Sequence, residues 1–380
     1  MTKLLLNARF TARPMTGVDR VAMELWREIA LLQGELPTGM LGLEVAVPGN
    51  GDAARLAGDT RHVTVHRGRL SGHAWEQAEL PFMGPDAWLL SLCNTGPVSR
   101  RRQAVMIHDA QIRICPQAYS RAFRLLYRVL QPAVARRAAL VFTISEFSRR
   151  KLEEYGIVPR GRAAILANGC DHIERVAADP DILARAGLQP GGYFLAIGSQ
   201  APHKNLARLI DAIGLCEQRM PLVIAGGGNR AVFAEESLAE APDVIRTGRV
   251  SDGELKALYG NACALLFPSL TEGFGLPPLE AMSQGCPVIA STGGAIPDVC
   301  GEAALYADPL DSLAWAKAMD LLASDDEARQ DLAERGRERA AQFRWRKSAI
   351  ALVRSVAQAE GNGPLLEALD ALRDRTALGG

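Results

Sequence analysis

The sequence predicts an α/β protein made of two doubly wound domains that face a central cleft. Two series of short apolar runs alternate with longer stretches of helical periodicity, and the runs are apolar on both faces, as in parallel sheets covered by helices. A chain of 380 residues is long for one core and suits two domains. In such folds, ligands bind where the carboxyl ends of the strands meet the cleft.

Eleven apolar runs are the predicted strands. The N-terminal series consists of "KLLLNA" at 3–8, "EVAVPG" at 44–49, "AWLLSL" at 87–92, "QAVMIHD" at 103–109, "ALVFTIS" at 139–145 and "RAAILAN" at 162–168. The C-terminal series consists of the runs at 193–199, 221–227, 243–248, 263–269 and 287–292.

The segment between the two series contains proline and glycine and no strong strand pattern, so it predicts a domain junction. We therefore expect an N-terminal domain at 1–175, a linker at 176–192 and a C-terminal domain at 193–345. The segment 346–380 is expected to be helical and to cross back to the N-terminal domain, with a loosely attached helix from about 360.

Composition predicts a cytoplasmic protein. There is no apolar run near 18 residues and the start "MTKLLLNARF" is too short for a signal peptide. Reduced thiols are expected rather than disulfides or a zinc site, because the cysteines are odd in number and form no C-x-x-C pair. These cysteines are Cys93, Cys115, Cys170, Cys216, Cys263, Cys286 and Cys300.

The net charge of zero conceals an asymmetry. Residues 1–180 carry 24 Lys/Arg against 17 Asp/Glu, which leaves 19 against 26 for the remainder. Within 100–137 there are nine arginines and one acid, Asp109, so this region predicts an anionic partner. A helix over 119–137 would be either a solvated charged face or a peripheral attachment to an anionic membrane, and no nucleic-acid partner is expected.

The segment 269–287, "SLTEGFGLPPLEAMSQGCP", combines a strand end, a loop with glycines and a helix that opens on two prolines and ends at Gly285. A helix N-terminus is a favourable binding site for an anion, and Gly275 lets the backbone come close to the bound anion. Glu272 and Glu280 would both face the same cleft. By spacing alone, a capped surface helix with two solvated acids fits as well.

The stretch "EGFGLPPLE" at 272–280 resembles the Glu, seven residues, Glu motif of the family-4 retaining glycosyltransferases, which have the GT-B fold. The likeness covers about 15–355 in the expected order. Further matching segments are "TGVDRVAMEL" at 16–25, "VMIHD" at 105–109, "AALVFTISEFSRRKL" at 138–152, "ILANGCD" at 165–171, "AIGSQAPHKNLARLIDA" at 196–212 and "TGRVSDGEL" at 247–255.

The resemblance implies a set of donor contacts. Lys204 would neutralise the donor diphosphate, and Gly17 would close against it from the N-terminal domain. The N–H groups of Phe274, Gly275 and Leu276 would hold the sugar and phosphate.

It also implies contacts to the sugar, the ribose and the base. Glu272 would bind a sugar hydroxyl and Glu280 the ribose hydroxyls, while Arg249 and Val250 would flank the base. His108 would touch the sugar near its anomeric centre, so that His108, Lys204 and Glu272 form the expected catalytic set. A satisfied core histidine is the other interpretation of His108.

One position departs from the family pattern. Many relatives place an arginine just after the glycine of the "IGS" strand, where this chain has Ser199. His203, beside Lys204, is a candidate for part of the missing charge. A subgroup of mannosyltransferases is built similarly, which favours a mannose donor.

The predicted function is that of a retaining glycosyltransferase that moves a hexose from a nucleotide-diphosphate sugar, with GDP-mannose favoured, to a saccharide or lipid-linked saccharide in surface polysaccharide assembly. No cofactor and no metal are required if protein groups supply the positive charge. A UDP-glucose-type donor on the same fold stays open, as does a sugar- or nucleotide-binding protein without turnover.

Two competing signals are weak. "IAGGGNRA" at 224–231 fits the dinucleotide fingerprint, but the next strand, "DVIRTG", ends without the acid that a dehydrogenase needs. "DPD" at 179–181 spells a metal-holding signature of another glycosyltransferase fold, but it lies in the predicted linker and not at the end of an apolar strand.

Overall fold

The computed structural model describes residues 1–56, 63–198, 201–226 and 241–378, with side chains as far as residue 374. The chain divides into two compact units. The first comprises Met1–Ala110, Arg121–Gly169 and Trp345–Gly380, and the second comprises Gln111–Ser120 and Cys170–Arg344. The segment Gln111–Ser120 thus groups with the second unit, although it lies inside the range 1–175 that the sequence assigns to the N-terminal domain.

The first unit contains a seven-stranded parallel sheet in the order β3-β2-β1-β4-β5-β6-β7. The strands are β1 Thr2–Asn7, β2 Leu41–Val47, β3 Thr64–Arg67, β4 Trp88–Ser91, β5 Gln103–Met106, β6 Leu140–Thr143 and β7 Ala163–Ile165. The order reverses between β1 and β4, which makes that edge the topological switch point, where open α/β sheets bind ligands.

The helices of the first unit come from both ends of the chain. They are α1 Gly17–Glu35, α2 Gly72–Ala78, α4 Arg121–Arg137, α5 Glu146–Glu154, α13 Trp345–Glu360 and α14 Gly363–Leu378. Helix α1 buries Val21, Leu25 and Ile29, which recur every four residues and so form one apolar face. Helix α1 also packs against α13 of the same unit. The C-terminal helices are therefore part of the first core.

The second unit contains a six-stranded parallel sheet in the order β10-β9-β8-β11-β12-β13. The strands are β8 Phe194–Ile197, β9 Leu222–Ala225, β10 Val244–Gly248, β11 Ala264–Phe267, β12 Val288–Ser291 and β13 Leu305–Ala307. The helices are α3 Gln111–Ile114, α6 Asp181–Arg185, α7 Leu206–Ile213, α8 Asp252–Asn261, α9 Leu276–Ser283, α10 Ile296–Cys300, α11 Ser312–Ser324 and α12 Asp326–Ala341. Here the order reverses between β8 and β11.

Two features differ from the sequence predictions. Strands β3 and β13 were not predicted, because each is a short edge strand of three or four residues that is only partly buried and lacks a long apolar run. The helix after residue 360 is not loose, since Leu365 and Leu369 of α14 are fully buried. The prediction of a loose helix was wrong because alanines and charged residues surround these two leucines, so the sequence shows no clear apolar face.

Candidate active site

The switch point of the second unit brings together two side chains that the sequence separates. Lys204 follows β8 and Glu272 follows β11, and the Lys204 Nζ lies 2.6 Å from the Glu272 Oε1. Their side chains are 21 % and 14 % exposed, so the ion pair is shielded and still reachable from solvent. A cation at this edge of a parallel sheet is well placed to meet an anionic ligand.

The lysine is positioned by its neighbour Asn205. Asn205 has a left-handed backbone with φ of 55°, and its Nδ2 donates to the carbonyls of Pro268 at 3.1 Å and Pro309 at 2.7 Å. The carbonyl of His203 accepts from the N–H of Leu270 at 2.8 Å. The turn that carries Lys204 is therefore fastened to the end of β11.

His203 lies beside Lys204 and bears on the charge at this site. Burial, and next the charge of Lys204, lower the pKa of His203 below its ordinary value of 6.5. Without a ligand the imidazole is therefore mostly neutral at pH 7, and a donor-binding role for His203 stays a prediction. Ser199, which stands where many relatives place that arginine, lies outside the described residues.

The start of α9 presents main-chain donors. Gly275 precedes the helix with φ of 107°, a conformation that favours glycine, and the helix begins at Leu276. Within the described part of the chain, no hydrogen bond is made by the N–H groups of Phe274, Gly275 and Leu276. The Phe274 ring is buried edge-on against Phe343 at 5.8 Å between centroids, so the ring packs inside the unit and is not offered to a ligand.

A glycine turn after β12 holds the loop that carries Glu272. A Cβ on Gly294 would stand 2.4 Å from both the N and the O of Glu272, and Gly294 has φ of 70°. The N–H of Ala295 donates to the Glu272 carbonyl at 2.9 Å. The backbone of Glu272 is thus packed between α9 and this turn, and no larger residue fits at position 294.

Glu280 is buried and held by two side chains that the sequence did not single out. The Tyr259 hydroxyl donates to the Glu280 Oε2 at 3.0 Å, and the His172 Nε2 lies 3.0 Å from the Glu280 Oε1. Glu280 is 6 % exposed. The carboxylate is therefore oriented by its neighbours, whereas Glu272 pairs with Lys204, so the two glutamates of the motif have different partners.

Arg249 and Val250 follow Gly248, the last residue of β10. Arg249 is exposed and Val250 is partly buried. Their expected place beside the base stays a prediction.

In the first unit, His108 follows β5 and is 2 % exposed. Its Nε2 lies 2.8 Å from the carbonyl of Leu92, its own N–H donates to the Asn94 Oδ1 at 2.8 Å, and its carbonyl accepts from Thr143 at 2.9 Å. Burial lowers the pKa of His108 to about 4, so the imidazole is neutral and donates from Nε2. These are the bonds of a satisfied core histidine, and its contact with a sugar stays a prediction.

Gly17 is the first residue of α1, and a Cβ built there would meet no atom within 4 Å. Its φ lies outside the left-handed region. The packing of the first unit therefore does not itself require glycine at this position, and its expected contact with the donor stays a prediction.

A buried polar cluster at the switch point of the first unit was missed by sequence reasoning. Glu76 is fully buried and accepts from the Arg9 Nε at 3.1 Å, from the Asn7 Nδ2 at 3.0 Å and from Thr95 at 2.9 Å, while the His73 Nδ1 lies 3.0 Å away. Burial alone would raise the pKa of Glu76, but the hydrogen bond from His73 and the charge of Arg9 hold it below its ordinary value. No local motif announces this cluster, because its members come from three separate segments.

Thiols and possible metal ligands are the other groups that bear on the chemistry of the chain. The seven cysteines are buried and free. Among the described residues, no group of three His, Cys, Asp or Glu side chains is arranged to hold a metal ion. No described helix is both long and apolar enough to cross a bilayer.

Two doubly wound parallel sheets, with Lys204 at the switch point of the second, are the architecture of the GT-B class of α/β proteins. The family model described as Glycosyl transferases group 1 matches residues 187–339. O-antigen chain mannosyltransferase B of Escherichia coli is 32 % identical over 276 residues, which cover 70 % of this chain and 70 % of that protein. The chain belongs to the group 1 glycosyltransferases.

A second relative and two solved structures share less of the sequence. O-antigen chain mannosyltransferase RfbU of Salmonella typhimurium is 27 % identical over 223 residues, which cover 58 % of this chain and 60 % of that protein. Among solved structures, HepE of Anabaena in complex with UDP-glucose gives a TM-score of 0.72 at 17 % identity, covering 94 % of this chain and 100 % of that one. WaaG, a glycosyltransferase involved in lipopolysaccharide biosynthesis, gives 0.66 at 17 % identity, covering 95 % and 100 %. These two structures support the fold alone.

Proposed function

We propose that this protein transfers a hexose, with mannose favoured, from a nucleotide-diphosphate sugar to a saccharide or lipid-linked saccharide during surface polysaccharide assembly. The observation that carries the proposal is the Lys204–Glu272 pair together with the N–H groups at the start of α9, which make no hydrogen bond to any described residue. Mannose is favoured because the two relatives found by sequence and named above are O-antigen mannosyltransferases. GDP-mannose is the proposed donor.

The reaction requires a site that stabilises an anion. When the bond between the anomeric carbon and the phosphate oxygen breaks, negative charge develops on the diphosphate and positive charge on the sugar ring. Preorganised donors stabilise such charge better than water does, and Lys204 with the N–H groups of Phe274, Gly275 and Leu276 would do so here. Glu272 would exchange its bond to Lys204 for a sugar hydroxyl as the phosphate arrives.

Retention of configuration is part of the proposal. The acceptor hydroxyl would attack the anomeric carbon from the face that the diphosphate leaves, and its proton would pass to the departing phosphate oxygen. Glu280, oriented by Tyr259 and His172, would hold the ribose hydroxyls. Because Lys204 and the main-chain donors provide the positive charge, the reaction would need no metal ion. If the protein is bound at the anionic inner face of the cytoplasmic membrane, a lipid-linked acceptor would be within its reach.

The test is a panel of GDP- and UDP-sugars, including UDP-glucose, scored by thermal shift and by slow donor hydrolysis with and without EDTA. GDP-mannose is expected to give the largest shift and EDTA to have little effect. Lys204→Ala is expected to remove roughly 99 % or more of the hydrolysis, as loss of one preorganised donor does. Lys347→Ala, which changes an exposed lysine of the first unit, is the matched control.

Full activity of Lys204→Ala would contradict the diphosphate assignment. A donor preference for UDP-glucose would replace the mannose assignment but keep the chemistry. Binding of nucleotide sugars without any turnover, even with acceptor saccharides present, would favour a binding protein.

A further inference from the structure

Helix α4 leaves an unusual face of the first unit exposed. Leu125 and Val129 are 66 % and 65 % exposed, and they lie four residues apart, so they share one side of the helix. Arg121 and Arg136 fall on the same side by helical periodicity, and both are exposed. The opposite side is buried in the first unit through Leu130 and Val134. We call the exposed side the α4 stripe.

The α4 stripe carries charge of only one sign. The chain has no acidic residue between Asp109 and Glu146, so no acid of the helix balances its arginines. A solvated helix face usually mixes both signs and exposes few large apolar side chains. Exposed leucine and valine among arginines match a helix that lies in the plane of an anionic interface, with apolar tips at headgroup level and arginines reaching the phosphates.

A pocket adjoins the C-terminal end of the α4 stripe. It has a volume of about 780 Å³, and four arginines line it: Arg101, Arg136, Arg137 and Arg162. Among the described residues, no acidic side chain lines this pocket. Arg136 belongs to both the stripe and the pocket, so the two features form one continuous surface.

Two hydrogen bonds near the starts of β5, β6 and β7 hold the residues around the pocket in place. The N–H of Ala139 donates to the Arg101 carbonyl at 2.9 Å, and the Arg162 Nη2 donates to the Ala138 carbonyl at 2.6 Å. The favourable effect of positive charge near a helix C-terminus accounts for Arg136 and Arg137 alone. Arg101 and Arg162 come from the segments before β5 and β7, so arginines from three parts of the chain line one pocket. Arginine presents paired donors that fit phosphate oxygens.

We propose that α4 docks on an anionic phospholipid bilayer, with Leu125 and Val129 inserted among the headgroups and a lipid phosphate held in the four-arginine pocket. This inference deepens the proposed function and rests on it in one respect, because a lipid-linked acceptor would be met at that surface. The docking itself depends only on residues of the first unit.

Vesicle co-sedimentation of the full chain tests the inference. The probes are vesicles of phosphatidylcholine alone and of phosphatidylcholine with phosphatidylglycerol in equal parts. The protein is expected to bind the mixed vesicles only. Each arginine near an anionic surface contributes about 1 kcal/mol, so Arg101→Gln with Arg136→Gln should lower the partition coefficient roughly 25-fold.

Two further variants separate charge from insertion. Arg69→Gln with Lys347→Gln removes the same charge from exposed positions of the first unit outside this surface, and it is expected to keep most of the binding. Leu125→Ser with Val129→Ser leaves the charge unchanged and is expected to reduce binding through lost insertion. Equal loss in the two charge variants would show nonspecific attraction and would overturn the inference.

Inorganic phosphate distinguishes a lipid headgroup from a free anion. If phosphate stabilises the wild-type protein through Arg101 and Arg136 while no vesicle binds, the pocket takes a small soluble anion and the docking inference is wrong. Binding to phosphatidylcholine alone, or to neither vesicle, also overturns it. Donor hydrolysis measured without lipid reports on the proposed function separately, since the vesicle assay contains no nucleotide sugar.

Discussion

At the scale of single residues, the two glutamates of the 272–280 segment are not equivalent. The side chain of Glu272 pairs with Lys204 and is 14 % exposed, whereas that of Glu280 is 8 % exposed and is bonded to Tyr259 and His172. The sequence predicted both residues from a motif, but it named neither Tyr259 nor His172. Their relation to Glu280 depends on how α8 and the segment after Cys170 pack beside α9, and no local pattern encodes that packing.

Glu280→Gln should weaken nucleotide affinity more than it slows the bound complex. Hydrogen bonds to a charged group contribute about 1.5–3 kcal/mol, so the Kd of the nucleotide should rise roughly tenfold to a hundredfold, with kcat much less affected. Tyr259→Phe, which removes one orienting hydrogen bond and keeps the ring, should give a smaller rise. Calorimetric titration with the nucleotide diphosphate measures the Kd of both variants. An unchanged Kd in Glu280→Gln would contradict binding of the ribose by Glu280.

The buried His108 should make stability depend on pH. Its folded pKa of about 4 lies below its ordinary value of 6.5, so the unfolded chain takes up the proton first as the pH falls. Stability is therefore complete above the unfolded pKa and is lost as the pH falls toward 4. Between pH 7 and about pH 4.5 this one group should remove about 2–3 kcal/mol from the free energy of unfolding.

Urea unfolding of the wild-type protein and of His108→Gln at both pH values isolates that contribution, because the carboxylates are common to the two proteins. The variant should be less stable at pH 7 and should lose less on acidification. Parallel pH profiles for the two proteins would show that His108 is not buried in its neutral form.

At the scale of elements, the start of α9 is the best example of agreement between sequence and structure. The prolines and the glycine pattern predicted a helix there, and the helix begins at Leu276 after Gly275. Proline in the first turn and glycine before it are local signals, so no distant contact was needed to recognise them. The edge strands β3 and β13 lack such signals and were missed, because each is short and lies outside a long apolar run.

Two glycines at helix starts should respond differently to alanine. Gly275 has φ of 107°, so Gly275→Ala forces a strained backbone and should cost about 1–3 kcal/mol. Gly17 has room for a Cβ and no such φ, so Gly17→Ala should leave stability unchanged while lowering turnover of the donor if the diphosphate closes on it. Thermal unfolding beside donor hydrolysis checks both variants. Loss of stability in Gly17→Ala would contradict the open space around that residue.

At the scale of the whole molecule, the first unit depends on the end of the chain. Helix α13 begins at Trp345, and its Leu352, Val353 and Val356 are fully buried in that unit. A fully buried side chain of this kind contributes about 1.5–3 kcal/mol, so the helix contributes an amount comparable with a typical net stability of about 5–15 kcal/mol.

A chain that ends at Arg344 should therefore lose the folded first unit, although it keeps every strand of both sheets. Limited proteolysis should cleave 1–110 and 121–169 rapidly in this truncation, while the second unit persists. A chain that ends at residue 374 keeps α13 and most of α14 and should resist like the full protein. Equal resistance of the two truncations would show that α13 is dispensable for that core.

The sequence by itself determined the class of fold, most of the strands and the residues of the 272–280 motif, because hydrophobic periodicity and turn chemistry are local properties of the chain. Only the tertiary structure decided that Lys204 meets Glu272 across 68 positions, that Tyr259 reaches Glu280, and that Trp345 belongs to the first core. These contacts depend on strand order and on where the chain returns. Many arrangements satisfy the same local pattern, and long-range packing selects one of them.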